Sequence, residues 1–242
     1  MALVLMSGLR GGVGTTTLAA NLAMTVAAAG RSAVLLNLSS SSTIGLHFGL
    51  DPLQPLPGFD APAAAAGPVH GVRLLDATLQ ARSGDLGDGL SSGDFSFDGD
   101  VIHIVDLSGV DDGIAAQLRS HANIEICVLT PSAECLYSLP AALEALPDSA
   151  AFLLNRSDDT RRLGRHIANF SRELLGERLI ATVQADEAVG EAAAMMQPLA
   201  RHAPASAALA DITALATRLT GLATRSQDRA TMSDLPAQSD AA

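Results

Sequence analysis

Lysine is absent from this chain of 242 residues, and all 15 of its cationic side chains are arginines. Against 26 carboxylates they leave a net charge of −11 and an isoelectric point near 4.8. A surface of this sign opposes sequence-independent binding to phosphate backbones, which relies on cationic side chains releasing counterions. Nucleic acid is therefore not expected as a partner. Cysteine is scarce: Cys127 and Cys135 stand alone, which excludes a disulfide framework, a zinc template and a redox Cys-x-x-Cys pair. The expected setting is a reducing cytoplasm. The six histidines are scattered without metal-ligand spacing, so no histidine metal site is expected. Long hydrophobic runs are also lacking. The stretch Leu18 to Ala29 is interrupted by Asn21 and falls short of the roughly 20 residues a membrane span needs. The opening residues have no basic region or cleavage site, so neither a signal peptide nor direct membrane insertion is expected.

What is present describes a folded α/β chain. Hydrophobic residues make up 48% and charged residues 17%, which rules out disorder throughout. The length fits one larger domain, residues 1–224, followed by a polar, acidic tail over 225–242 that is expected to be disordered. Seven short apolar runs lack polar alternation: 2–6, 32–37, 72–75, 101–106, 124–130, 150–155 and 178–183. Such runs suit strands covered by helices on both faces. Helical stretches are expected over 15–29, 112–121, 133–145, 159–175, 186–196 and 205–223. In the fourth, Leu163, Ile167, Phe170 and Leu174 fall on one stripe at the helical period. From 51 to 100 the composition turns to Pro, Gly, Ala, Ser and Asp, which reads as an irregular surface excursion, partly mobile. The fold expected is a doubly wound, mostly parallel sheet with helices on both faces.

Between the first strand and the first helix lies Ser7-Gly8-Leu9-Arg10-Gly11-Gly12-Val13-Gly14-Thr15-Thr16-Thr17. A glycine loop in this position turns backbone amides toward a helix N-terminus and makes a cradle for an anion. Aligned with the phosphate-loop consensus GxxxxGK(S/T), Gly14 and Thr16 match, whereas Leu9 stands at the first glycine and Thr15 at the lysine.

The string from Arg10 to Thr17 resembles the deviant phosphate loop of the MinD/ParA class of P-loop ATPases, and more closely that of the BcsQ family of cellulose-secretion accessory proteins. Asp186-Glu187-Ala188 and Gln197-Pro198 are similar to segments of the same family. The resemblance implies an ATP–Mg²⁺ site. In it, Gly11, Gly12, Val13 and Gly14 offer amides to the α/β-phosphates, Thr15 takes the lysine position, and Thr17 adds a hydroxyl. Thr16 ligates Mg²⁺, and Asp106 fixes the ion through water. Arg10 stands where the class has a lysine that reaches a partner's nucleotide, and Asn155-Arg156 match a pair that reads the adenine edge. Val183 to Asp186 corresponds to a stretch lining the adenine pocket, with Gln184 in place of a proline. A single Asn-Arg pair leaves GTP open.

The class usually carries Asp-x-Asp after the second strand, where this chain reads Asn37-Leu38-Ser39. Phosphoryl transfer depends on positioning and on neutralising charge, so without the loop lysine and those carboxylates slow or absent hydrolysis is expected, in the nucleotide-dependent homodimer that the resemblance implies. Its implied partners are cytosolic subunits of the cellulose secretion complex, and recruitment to the inner membrane goes through them. A second reading, an active ParA-like ATPase that partitions DNA or positions other cargo, calls for a loop lysine and, for DNA, a basic surface. A third is a regulator of pilus or flagellar assembly that binds protein alone. Arg161, Arg162 and Arg165 form a basic cluster read as a solvated face or as an acidic partner's docking patch.

Overall fold

A computed structural model describes residues 2–39, 43–61, 67–93, 97 and 100–233. In chain order the elements are β1 (Ala2–Gly8), α1 (Thr15–Ala28), β2 (Ala33–Asn37), α2 (Ile44–Phe48), β3 (Val72–Asp76), α3 (Thr78–Ser83) and α4 (Asp85–Ser92). Next come β4 (Ile102–Asp106), α5 (Asp112–Arg119), β5 (Ile124–Leu129), α6 (Ala133–Ala145), β6 (Ala151–Ser157) and α7 (Arg162–Leu175). The chain continues through β7 (Leu179–Gln184), α8 (Glu187–Ala194), α9 (Leu199–His202) and α10 (Ala207–Ser233).

The strands form one sheet in the order β3-β2-β4-β1-β5-β6-β7, and every pairing is parallel. All five residues of β2 and of β4 are buried, which is why these strands read as predominantly apolar runs without regular polar alternation. β1 lies at the centre, and its successors leave it in opposite directions: β2 beyond β4 on one side, β5 on the other. In open sheets of this kind ligands bind beyond the strand C-termini where the winding reverses. That point is occupied by the glycine loop. The register sets Met6 beside Asp106 and Asp106 beside Asn37, so the last residue of β4 adjoins the loop's strand and the last residue of β2 lies one strand further out.

Helix α1 is buried on nearly all sides, with Leu18, Ala19, Ala20, Leu22, Ala23 and Val26 in the core. A helix this apolar all round needs cover on both sides. The sheet supplies one, and α10 supplies the other through Ala208, Ile212, Leu215, Ala216 and Leu219 of the same cluster.

Three expectations are revised. The segment from 51 to 100 is more regular than its composition indicates. Besides the expected strand, which becomes edge strand β3, it contributes two helices, and Leu86, Leu90 and Phe97 are buried in a second cluster beneath the sheet. Residues 62–66, 94–96, 98 and 99 of that segment lie outside the described residues. The last helix runs to Ser233 instead of ending near 223, and the remainder of the expected tail, 234–242, lies outside the described residues. On α7 the packed face is Gly164, Ile167, Ala168, Ser171 and Leu175. Leu163, Phe170 and Leu174 of the expected stripe are exposed at 63%, 50% and 46%. Among the described residues no helix is long and apolar enough to cross a membrane.

Candidate functional site

The loop is held in place by a few specific contacts. The Leu9 amide donates to Val128 O at 2.8 Å, fastening the loop's start to β5. At its other end Gly14 adopts φ +93°, a left-handed conformation that glycine tolerates without a Cβ penalty. The Asn155 amide donates from Nδ2 to Val13 O at 2.8 Å across the sheet, which fixes the loop against β6. The first intrahelical bond of α1 runs from Leu18 N to Gly14 O. The first turn therefore consists of Thr15, Thr16 and Thr17, with no acidic residue and, among the described residues, no side-chain cap. Unpaired amides and the positive end of the helix dipole meet there, an arrangement suited to phosphate oxygens.

Two clefts open from this turn. One, of about 830 Å³, runs over Gly8 to Gly12, Thr15 and Thr16 to the Ser108-Gly109-Val110 turn, and on between α5 and α6 to Cys127. The other, of about 840 Å³, is walled by Asn155, Arg156, Asp158 and the stretch Val183 to Glu187. Both are lined by Gly14, Thr17 and Arg156. Arg156 has φ +54°, in the left-handed region that costs a bulky residue on the order of 1–3 kcal/mol. Its backbone stands where the register of β6 against β7 shifts. The strain sets a guanidinium between the two clefts.

The structure brings the sequence-selected residues together. Arg10, Gly11, Gly12, Val13, Gly14, Thr15, Thr16 and Thr17 form the loop and first turn, Asn155 and Arg156 close it from β6, and Asp106 lies beneath it at the end of β4. Arg10 is exposed and its Nη1 donates to Ser138 Oγ on α6 at 3.2 Å. Thr15, in the lysine position, is buried against Gly8, whose Cβ, were there one, would lie 2.6 Å from Thr15 Oγ1. Gly11 and Gly12 face open space. Asn37 is buried and committed: its Oδ1 accepts from Ser39 N at 3.1 Å, and its Nδ2 donates to Thr78 Oγ1 at 3.4 Å. Asp186 caps α8 through Ala188 N and also accepts from Ser206 Oγ at 2.6 Å.

Three residues that the sequence did not single out for this site belong to it. Ser108 bridges Thr16 and Asp106, Ser138 holds Arg10, and His47 of α2 is buried within electrostatic reach of Asp106. Burial lowers the His47 pKa, against a smaller upward pull from Asp106, so the ring is neutral at pH 7. Hydroxyls and lone histidines carry no spacing signal, and their roles come from tertiary neighbours.

Residues here fit a hard cation. Asp106 is fully buried, and its Oδ2 has no hydrogen-bond partner among the described residues. Buried acceptors in that condition are normally met by an ordered water or an ion. Among the described residues no group of three His, Cys, Asp or Glu is placed to hold a metal. An ion here draws its ligands from hydroxyl, water and phosphate oxygens, as Mg²⁺ does.

Residues 1–67 and 100–219, well over half the chain, match the profile of the family described as Cellulose biosynthesis protein BcsQ. No curated protein matches the sequence. Among solved structures it is similar to a ParA family ATPase from Chlorobium tepidum TLS, at 17% identity and TM-score 0.68, covering 89% of this chain and 97% of that one. It is similar to the septum site-determining protein MinD from Pyrococcus horikoshii OT3 complexed with Mg-ADP, at 20% identity and TM-score 0.67, covering 92% and 96%. It is also similar to an ATP complex of a Cyanothece McdA variant, at 15% identity and TM-score 0.70, covering 91% and 96%. The fold is that of the MinD/ParA P-loop NTPases.

Proposed function

The chain belongs to the family of cellulose biosynthesis protein BcsQ, and from that premise we propose that it binds ATP and Mg²⁺ where the two clefts meet. The bound nucleotide then joins two copies of the chain into an accessory unit of cellulose synthesis and secretion. The observation that carries this reading is the loop ending at Gly14, φ +93°, which delivers the uncapped first turn of α1 beside a buried Asp106 with an unpaired oxygen. Structures of similar fold that contain Mg-ADP and ATP support the choice of ligand.

The roles follow from position. Amides of Gly12 to Thr16 hold phosphate oxygens, and Thr16 with Asp106 holds Mg²⁺, which neutralises charge on the phosphates when bound. The cleft between Asn155, Arg156 and Val183 to Asp186 takes the base and ribose. Arg10, exposed at the rim, supplies a guanidinium whose planar fork matches phosphate oxygens of a second protomer.

Hydrolysis is slow or absent in this reading. Thr15 is buried where a lysine is usual, Asn37 is committed to Thr78 and Ser39, and the chain contains no lysine that could substitute. Loss of one well-placed donor costs on the order of 10²–10³ in rate. The cytosolic subunits of the cellulose secretion complex are the proposed partners, and any approach to the membrane goes through them. Native mass spectrometry of the purified protein with ATP–Mg²⁺ tests the reading. The expected species is a dimer carrying one nucleotide per subunit, and no affinity for any purine triphosphate overturns it.

A further inference from the structure

Beneath the loop runs a chain of two hydroxyls ending on a carboxylate. Thr16 Oγ1 donates to Ser108 Oγ at 3.0 Å, and Ser108 Oγ in turn donates to Asp106 Oδ1 in a short hydrogen bond. The Ser108 amide donates to the same oxygen at 3.0 Å. A hydroxyl owns one proton and two lone pairs, whereas an ionised carboxylate only accepts. The far end therefore sets the direction of the whole chain. The Ser108 proton goes to Asp106, the Thr16 proton goes to Ser108, and the lone pairs of Thr16 are left for another partner. Hydrogen bonds in series polarise one another by something like 10–30% per bond. Charge on Asp106 thereby reaches the oxygen of Thr16 without direct contact between the two residues.

We propose that Ser108 is a positioning residue for the divalent cation, tying the coordinating hydroxyl of Thr16 to Asp106. The inference rests on the ATP–Mg²⁺ reading of this cleft and adds to it the residue that orients the metal's hydroxyl ligand. The turn around Ser108 is built for this placement. Leu107 N donates to Met6 O at 2.9 Å, which anchors the turn to β1, and Gly109 at φ +69° redirects the chain immediately after Ser108. Asp111 then caps α5 through Gly113 N. The hydroxyl is thus held between the end of β4 and the first turn of α1. Cation binding at Thr16 is felt through one hydrogen bond by the turn that leads into α5.

The test compares the wild type with Ser108→Ala and Ser108→Thr, titrating a fluorescent ATP analogue in excess Mg²⁺ and in EDTA. Bound Mn²⁺ is measured in parallel by electron paramagnetic resonance, and thermal melting verifies that each variant is folded. Substitution of a residue that orients a metal ligand typically lowers metal affinity 10–100-fold. Ser108→Ala is expected to lose that much of the Mg²⁺-dependent gain and of the Mn²⁺ affinity, while its affinity in EDTA stays within about twofold of wild type. Ser108→Thr, which keeps the hydroxyl, is expected to restore both. An undiminished Mg²⁺ gain in Ser108→Ala overturns the inference, as does an equal loss in EDTA, which would mean that Ser108 merely shapes the loop. Wild-type protein that binds no analogue in either condition overturns the ATP reading itself, so the two failures are told apart.

Discussion

The side-chain amide of Asn155 fills the space into which a Cβ on Gly14 would project. Asn155 Nδ2 lies 2.5 Å from that point while it donates to Val13 O. Glycine at 14 and asparagine at 155 are thus two halves of one fastening, one giving way so that the other can reach the loop. In Gly14→Ala the new methyl collides with the amide, and φ +93° becomes strained by about 1–3 kcal/mol. The expected outcome is a melting temperature lowered accordingly in differential scanning calorimetry; where the loop relaxes and binding must restore its wild-type geometry, affinity for a fluorescent ATP analogue falls by about 5–150-fold.

Arg10 is exposed and touches the described protein through Ser138, so its removal leaves the isolated protomer intact. Arg10→Ala is expected to change stability by less than about 0.5 kcal/mol. If its guanidinium serves a second copy, ATP-dependent dimerisation is abolished in light scattering coupled to size exclusion. Dimerisation at the wild-type level in this variant counts against that role.

Arg119 and Glu125 form a partly buried pair, with Nε to Oε2 at 2.7 Å and Nη2 to Oε1 at 3.1 Å. Glu125 is buried inside β5, between α5 and the sheet's centre. Arg119→Ala leaves that carboxylate uncompensated and is expected to cost about 3–5 kcal/mol. The double replacement Arg119→Leu with Glu125→Leu removes the stranded charge and recovers most of the loss. Urea unfolding of the three proteins measures both effects.

The Asp186 carboxyl is held below the usual carboxylate range, chiefly by the Ser206 hydroxyl. A smaller upward push from desolvation opposes this, and the Ala188 and Ala208 amides add to the lowering. A depressed folded-state pKa means stability that is complete above the unfolded value of about 3.9 and is lost as pH falls through the folded value. Asp186→Ala is expected to cost about 1–2 kcal/mol at neutral pH, as for loss of an N-cap. The difference from wild type should hold from pH 7 down to about 4 and shrink below it, which denaturant titrations at several pH values would reveal.

Burial pushes the Cys127 thiol up to about 12, with Ser7 opposing weakly, and Cys135 is equally enclosed. The reactive form is the thiolate, so Cys127 is not expected to react with Ellman's reagent at pH 8 in the folded protein, and Cys135 is shielded from the reagent by burial. Both should react once guanidinium unfolds the chain. Rapid labelling of the native protein would show that the floor of the cleft opens.

The strands were legible because parallel pairing under two helical layers demands near-continuous apolar runs: Val34 to Leu36 are apolar throughout, and Ile102 to Val105 are interrupted by His103 alone. Sheet order was not, since the insertion of β4 between β1 and β2 depends on contacts far apart in sequence. Helix α7 shows how hydrophobicity misleads. Gly164, Ala168 and Ser171 are small enough to bring the helix close to β6, so they take the packed face while Phe170 and Leu174 stay outside. The short helix α4, which buries Leu86 and Leu90, was hidden by glycine and serine in a region that reads as loop. In the candidate site, the glycine loop was readable from its place between a strand and a helix, and Asp106 only through the family resemblance. Ser108 and Ser138 were not, because a hydroxyl acquires meaning only from what stands opposite it.

Helix α1 carries the loop's first turn yet receives its outer cover from α10, close to the other end of the chain. During synthesis the nascent polypeptide must therefore wait, with one flank of α1 wet, until α10 has left the ribosome. A protomer truncated before Ala207 has the whole loop in its sequence but leaves the apolar outer flank of the helix that bears it uncovered.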